Sequence, residues 1–273
     1  MIPVGGLGTR LLPITRSQPK EMLPIVDKPV VQHVVEELVR AGISRVLFVT
    51  GRRKRAIEDH FDAQPELGSA PLIDPRTGLQ IFYTRQAHPA GLGDALRYAE
   101  HFSDQSGVVV ALGDAMIHTP PAAAPGIVRR LIEAYEQTGA AAAFAVTEVP
   151  PEAVRLYGVA VVSPDDQRVE RVLEKPDPDA IQSRTAIMGR YVIGPEVFAA
   201  LRRARADESG EVQLTAALGD VIERGGEVLA VPLGPGEIRY DIGSIESYCT
   251  TFLTYALNDP RFGAELRAAL LGE

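Results

Sequence analysis

Short apolar runs alternate with amphipathic stretches along most of this chain, and that rhythm constrains its fold more than any other feature. Val108-Val-Val-Ala-Leu112 is apolar at every position, as in a strand covered on both faces of a parallel sheet. Val46–Thr50, Leu79–Tyr83 and Ala141–Thr147 read as further strands. Between them, Pro29–Ala41 carries Val31, Val34, Val35, Leu38 and Val39 at helical spacing, with Gly42 as its stop. Ala56–Phe61, Gly93–His101 and Ile127–Thr138 are predicted helices. Strand and helix in repeated alternation predict an α/β fold around a mostly parallel, mixed sheet.

The rhythm changes after about residue 150. Tyr157–Val162 and Val169–Leu173 flank a turn at Pro164-Asp-Asp166, which predicts a hairpin-like pair. A strand at Gly189–Ile193, helices at Pro195–Arg203 and Val212–Glu223, a strand at Val228–Pro232 and a helix at Ser244–Leu257 follow. No internal repeat or low-complexity tract is visible. One compact unit over residues 1–273 is expected.

Bulk properties exclude several classes. No apolar run reaches the ~18 residues of a membrane span, so no membrane partner is expected. The net charge of −8 argues against a general nucleic-acid binder. The lone cysteine, Cys249, leaves no internal disulfide framework and fits a reducing, cytoplasmic setting. Met1 leads straight into the first strand, with no secretory signal in view. Charge is unevenly spread: residues 1–55 hold ten Lys/Arg against four Asp/Glu. That excess suits a small anionic ligand. For Arg52-Arg-Lys-Arg55 a solvated basic face is the plainer reading.

The positive end coincides with Gly5-Gly-Leu-Gly8-Thr9-Arg10 and, nine residues on, Pro19-Lys20-Glu21-Met-Leu-Pro24. The loop follows the apolar run Ile2–Val4. Its glycines let backbone approach a bulky polyanion, and its amides, with Arg10 and Lys20, supply donors and charge for a triphosphate. The third glycine of G-x-G-x-x-G is missing, and no G-x-x-x-x-G-K-[ST] occurs, so neither dinucleotide fingerprint nor ATPase P-loop applies. Gln86 can donate and accept at once, which suits a pyrimidine edge, although alone it also reads as a surface polar residue. Gly91-Leu-Gly93 lets main chain approach a flat base. Asp114 ends the Val108–Leu112 strand, in the crevice where α/β folds bind ligands. It is a natural Mg²⁺ ligand or, equally, a helix N-cap. Asp241 is a second separated carboxylate. Glu174-Lys175-Pro176 offers an acceptor for sugar hydroxyls and a point charge for a phosphate, or else a strand-end ion pair. Tyr157-Gly158 could present backbone to a sugar, and Gly210–Thr215 reads as a helix start beside it. The histidines lack metal-ligand spacing.

Taken in order, Gly5–Arg10, Pro19–Pro24, Val26–Pro29, Gly91–Gly93, Tyr157-Gly158, Glu174–Pro176, Gly189–Tyr191 and Glu211–Thr215 resemble the bacterial UTP–glucose-1-phosphate uridylyltransferases, a branch of the sugar-nucleotide pyrophosphorylases. The resemblance covers almost the whole chain. It implies a Rossmann-like three-layer sandwich of the nucleotide-diphospho-sugar transferase kind. It further implies a nucleotide-binding part over 1–150, a sugar-phosphate part over 151–243 and a helical segment over 244–273. Gly5, Gly6, Gln86 and Gly91 would meet the uracil, with Gly8, Thr9 and Glu21 in the same nucleotide shell. Arg10 and Lys20 would hold the triphosphate as the catalytic cations. Asp114 and Asp241 would bind Mg²⁺, and Tyr157, Gly158, Glu174 and Lys175 would hold glucose 1-phosphate. The expected partners are UTP, glucose 1-phosphate, UDP-glucose and pyrophosphate, with a homo-oligomer, dimer or tetramer. A thymidylyl or other sugar-1-phosphate transferase, or a non-catalytic sugar-nucleotide-binding homologue, are the alternatives. Two departures stand out. The second aspartate usually sits in Asp-Cys-Gly-Asn-Lys, where this chain has Asp241-Ile-Gly-Ser-Ile245. Family members also usually carry several more residues before the glycine loop, so a truncated first strand or a misassigned start is expected.

Overall fold

The computed structural model describes residues 1–62, 72–103, 106–177 and 183–271. In chain order its strands are β1 (Ile2–Pro3), β2 (Pro24–Ile25), β3 (Lys28–Pro29), β4 (Arg45–Thr50), β5 (Gln80–Arg85), β6 (Val108–Ala111), β7 (Ala115–His118), β8 (Ala142–Glu148), β9 (Gly158–Val162), β10 (Val169–Glu174), β11 (Thr185–Ile193), β12 (Val228–Pro232) and β13 (Ile238–Asp241). Its α-helices are α1 (Val30–Arg40), α2 (Arg55–Phe61), α3 (Leu92–Arg97), α4 (Ile127–Thr138), α5 (Pro195–Arg203), α6 (Leu214–Glu223), α7 (Ile245–Asn258) and α8 (Gly263–Leu271).

β4 pairs in parallel with β1 on one side and β5 on the other. The Met1 nitrogen donates to the Val109 carbonyl at 2.7 Å and the Ala111 amide to the Met1 carbonyl at 3.1 Å, the slanted pattern that joins β6 to β1 in parallel. β11 then lies antiparallel between β6 and β8, and β12 joins β8 in parallel. The sheet thus runs β5-β4-β1-β6-β11-β8-β12, with β9 and β10 branching from β11. It is mixed, as expected. Its parallel character is concentrated in the amino-terminal strands, and the antiparallel pairs gather around β11. Between β8 and β11 no α-helix is described that would carry the chain back across a face, so strands there meet antiparallel.

Helices cover both faces. One apolar cluster joins Leu96, Phe198, Leu201 and Leu218 from α3, α5 and α6 to Phe144 and Tyr191. The other joins Val34, Leu38, Ile57 and Leu131 from α1, α2 and α4 to Ile2, Phe48 and Ala143. The stripe foreseen on α1 is buried at Val31, Val34, Val35 and Leu38. Each such side chain contributes about 1.5–3 kcal/mol relative to exposure. A smaller cluster, Leu11, Leu23, Ile25, Val30, Met116 and Ile242, packs beneath a two-stranded ribbon of β7 and β13. That ribbon, the short β2–β3 pair and α8 are described elements that the apolar rhythm did not announce.

Candidate active site

Where the chain leaves β1, β5 and β6, it surrounds a cavity of about 360 Å³. Gly5, Gly6, Lys20, Glu21, Gln86, Gly91 and Asp114 line one side, and Tyr157, Gly158, Glu174 and Lys175 line the other. The loops pack through glycine. A Cβ on Gly5 would come 2.9 Å from Gln86 Oε1, and one on Gly51 would come 2.9 Å from the Gly5 carbonyl. Gly91 has φ +90°, and a Cβ there would lie 2.7 Å from the Val212 carbonyl.

Gly8, Thr9, Arg10 and Asp241 are the expected residues that do not line the cavity. Gly8, at φ +66°, starts a 3-10 turn over Thr9–Leu11. That turn buries Leu11 and leaves Thr9 and Arg10 exposed, because the apolar side chain takes the inward position. Gly8 itself packs beside Lys20: a Cβ there would lie 3.5 Å from the Lys20 Cβ.

Lys20 begins a 3-10 turn that aims it into the cavity, where its Nζ donates to Asp114 Oδ2. Burial works against this ammonium, but Asp114, Glu21 and Asp241 outweigh it and hold its pKa above the ordinary lysine value. For Asp114 burial pushes upward, but Lys20 prevails and holds the carboxyl below the usual range. Glu21 is 2% exposed and accepts from Lys54 Nζ at 2.7 Å. Burial raises the Glu21 carboxyl despite Lys54 and lowers the Lys54 ammonium despite Glu21. Arg52, Arg53 and Arg55 are exposed, whereas Lys54 turns inward, so the basic run is not a uniform solvated face.

No helix follows Asp114, which removes the N-cap reading; β7 does. In the ribbon Ala115 lies opposite Asp241, and the Ile242 amide faces the Asp114 carbonyl at 3.4 Å. Both carboxylates therefore act on Lys20. Among the described residues no group of three or more His, Cys, Asp or Glu gathers as a metal site. A Mg²⁺ ion is commonly held by one or two carboxylates with phosphate and water oxygens completing the shell. Asp114, paired with Lys20, and Asp241, paired with Arg239, fit that donor set.

Across the cavity, Gly158 lies opposite Glu174 in the β9–β10 pair. Glu174 Oε2 accepts from Thr215 Oγ1 at 3.1 Å, and Oε1 faces Lys175 Nζ at 3.3 Å. Lys175 has φ +40°, a region that side-chain-bearing residues seldom occupy, and its amide donates to the Tyr157 carbonyl at 3.0 Å. Glu211, Gln213, Leu214 and Thr215, at the start of α6, complete this wall.

Three features escaped the sequence reading. Arg239 lines the cavity, stacks 5.3 Å over the Tyr157 ring and donates to Asp241 Oδ2 at 2.6 Å, while its Nε is buried without a partner. Its signal was the two-residue spacing to Asp241 on one strand face. Arg190 is fully buried, donates to Glu37 Oε2 at 2.7 Å and to the Ala115 carbonyl at 2.8 Å, and so ties α1 to the turn bearing Asp114. The third is Asp94, whose Oδ2 accepts from Nε2 of Gln86 at 2.6 Å; Gln86, expected at the nucleotide site, is buried, which removes its surface reading. Neither the Glu37–Arg190 pair nor the Gln86–Asp94 pair has a local pattern that could announce it.

A mixed sheet whose parallel strands end at a glycine loop, an ammonium and two carboxylates is the architecture of an enzyme that handles nucleoside phosphates. The chain belongs to the nucleotidyl transferase family, whose sequence profile matches residues 1–257. It is 39% identical over 283 residues to UTP–glucose-1-phosphate uridylyltransferase 1 of Streptococcus pyogenes serotype M1, covering 98% of this chain and 91% of that protein. It is also similar to the solved structure of a UDP-glucose pyrophosphorylase complexed with UDP-glucose. There the TM-score is 0.85 and the identity 32%, over 94% of this chain and 98% of that one. Against the UTP-bound UGPase from Acinetobacter baumannii the TM-score is 0.86 at 29% identity, over 99% and 97% of the two chains.

Proposed function

We propose that this nucleotidyltransferase forms UDP-glucose and pyrophosphate from UTP and glucose 1-phosphate in the cavity described above. The observation that carries the reading is the meeting of Lys20 and Asp114 on one wall, facing Glu174 and Lys175 on the other. The near-full-length similarity to a uridylyltransferase supports the choice of substrates.

The sugar phosphate oxygen attacks the α-phosphorus in line as the bond to the pyrophosphate oxygen breaks. A phosphate monoester is already a nucleophile at neutral pH, so the protein supplies no base. Its task is to align two anions that repel each other. Proximity can lower the barrier by ~7–11 kcal/mol when the geometry is good. Lys20 neutralises charge on the triphosphate, and Lys175 holds the acceptor phosphate. Gly5, Gly6, Gln86 and Gly91 receive the base, while Tyr157, Gly158 and Glu174 receive the sugar. Arg239, on the cavity wall between Tyr157 and Asp241, offers a guanidinium charge to the phosphates. Arg10 acts only if its exposed turn folds over the triphosphate. Asp114 and Asp241 would hold Mg²⁺, which supplies Lewis-acid stabilisation of the phosphate charge.

The proposal includes the division of labour named above, with residues 1–150 serving the nucleotide and 151–243 the sugar phosphate. It includes a cytoplasmic setting, which the free thiol of Cys249 supports. Among the described residues no helix is long and apolar enough to cross a membrane. It also includes a homo-oligomer, dimer or tetramer, supported by exposed Ile245 and Leu253 on α7. The test is pyrophosphate release over UTP, dTTP, CTP and ATP with several sugar 1-phosphates at fixed Mg²⁺. UTP with glucose 1-phosphate is expected to give the highest kcat/KM. A different best pair would refute the substrate assignment.

A further inference from the structure

We infer that Asp94 is a specificity-determining residue: it fixes the orientation of the Gln86 side-chain amide so that the oxygen is the end offered to N3 of the base, which admits a pyrimidine bearing N3–H and rejects cytosine. The inference rests on the proposed nucleotide site and adds what that site excludes.

A glutamine amide has a donor end and an acceptor end that differ by a flip of the group. Usually nothing but a network settles which way it points. Here the network leaves one choice. A carboxylate only accepts, so the group 2.6 Å from Asp94 Oδ2 must be the Gln86 NH2. The flipped amide would set two oxygens against each other in a buried place, since Gln86 is 4% exposed. Asp94 is itself held. Its Oδ1 faces Arg97 Nη1 at 3.5 Å, and Arg97 donates from Nε to the Leu201 carbonyl at 3.0 Å and from Nη2 to the Ala204 carbonyl at 2.8 Å. The end of α5 thus anchors Arg97, Arg97 steadies Asp94, and Asp94 orients Gln86.

The acceptor end is free for a ligand. Gln86 Oε1 accepts from no donor among the described residues, and it sits against Gly5, where a Cβ would lie within 2.9 Å of it. The Gln86 backbone is pinned as well, its main-chain N–H donating to the Thr50 carbonyl at 2.9 Å. A rigid lone acceptor on the cavity wall matches the imide N3–H of uracil or thymine. Cytosine presents a lone pair at N3, and two acceptors then face each other without water between them. A site built around one hydrogen bond rejects the analogue that cannot make it far more strongly than it rejects a missing methyl. Asp94 touches no substrate in this scheme and acts through Gln86 as a positioning residue.

The test compares binding of UTP and CTP, with Mg²⁺ and without sugar phosphate, to wild type, Asp94→Asn and Asp94→Ala by calorimetry. Wild type is expected to bind UTP about 10²-fold more tightly than CTP. Asp94→Asn keeps the shape but lets the amide face either way, and Asp94→Ala removes the constraint. Each is expected to narrow the UTP/CTP ratio by about tenfold or more. A purely structural role for Asp94 would weaken both nucleotides together and leave the ratio intact, and that result overturns the inference. So does a wild type that does not discriminate. The ratio is read without catalysis, so absence of UDP-glucose formation would sink the proposed reaction while this comparison still decides the role of Asp94.

Discussion

The two walls of the cavity are built on different principles. On the nucleotide wall the charged groups are buried or half-buried, paired, and braced from behind: Lys20 by Asp114, Glu21 by Lys54, and the Asp114 turn by Arg190 and Glu37. On the sugar wall Lys175 is half exposed, and its ion-pair partner is its own neighbour Glu174. A triphosphate carries dense charge, and donors fixed in advance need no reorganisation when it reacts. A sugar phosphate brings a neutral ring and one phosphate, and a half-exposed ammonium on a strained backbone can meet it by adjustment. The contrast teaches that rigidity is concentrated where charge develops.

Four changes would break or sharpen that contrast. The largest effect belongs to Arg190→Met, which leaves Glu37 buried without its partner. Unfolding in urea should show a loss of about 3–5 kcal/mol, and a loss under about 1 kcal/mol would mean that the pair does not brace the wall. Next, Lys175→Ala should raise KM for the sugar phosphate about tenfold with kcat changed less, as removal of a partly screened charge does. Equal loss in kcat and kcat/KM would instead give the sugar wall a transition-state role. Third, the pH dependence of stability should move in Lys20→Met. In wild type the depressed Asp114 pKa stabilises the fold above the unfolded value of 3.8, and this contribution is lost as pH falls through the depressed folded value. Without Lys20 that loss begins at a higher pH, visible in urea midpoints across the acid range. Smallest is Arg55→Ala: its pair with Asp59 is exposed, so Tm should stay within about 2 °C.

Much of the fold was written in local pattern. The α1 stripe, the β6 run and the hairpin about Pro164–Asp166 each appear where periodicity and turn chemistry put them, because those signals depend only on nearby residues. The β7–β13 ribbon was not legible, since its pairing joins segments more than a hundred residues apart. The site shows the same division. Gly5, Lys20, Gln86, Asp114, Glu174 and Lys175 were named from motif and position, and the fold brings all six to one cavity. Arg190, Glu37, Asp94 and Arg239 were missed as site residues because each gains its meaning from a partner that only the fold supplies. Lys54 shows the cost of reading charge without burial: it sits in a run of four cations, yet it alone turns inward to Glu21. Arg10 shows the reverse, a motif residue that the adjacent Leu11 leaves at the surface.

The most direct test of the central claim is steady-state turnover of UTP and glucose 1-phosphate by wild type, Lys20→Ala and Asp114→Ala, each shown to be folded. The account predicts UDP-glucose and pyrophosphate in equal amounts from wild type and at least a ~10²-fold fall in kcat in both variants, the scale of losing one preorganised charged group. Near-wild-type rates in both would contradict it.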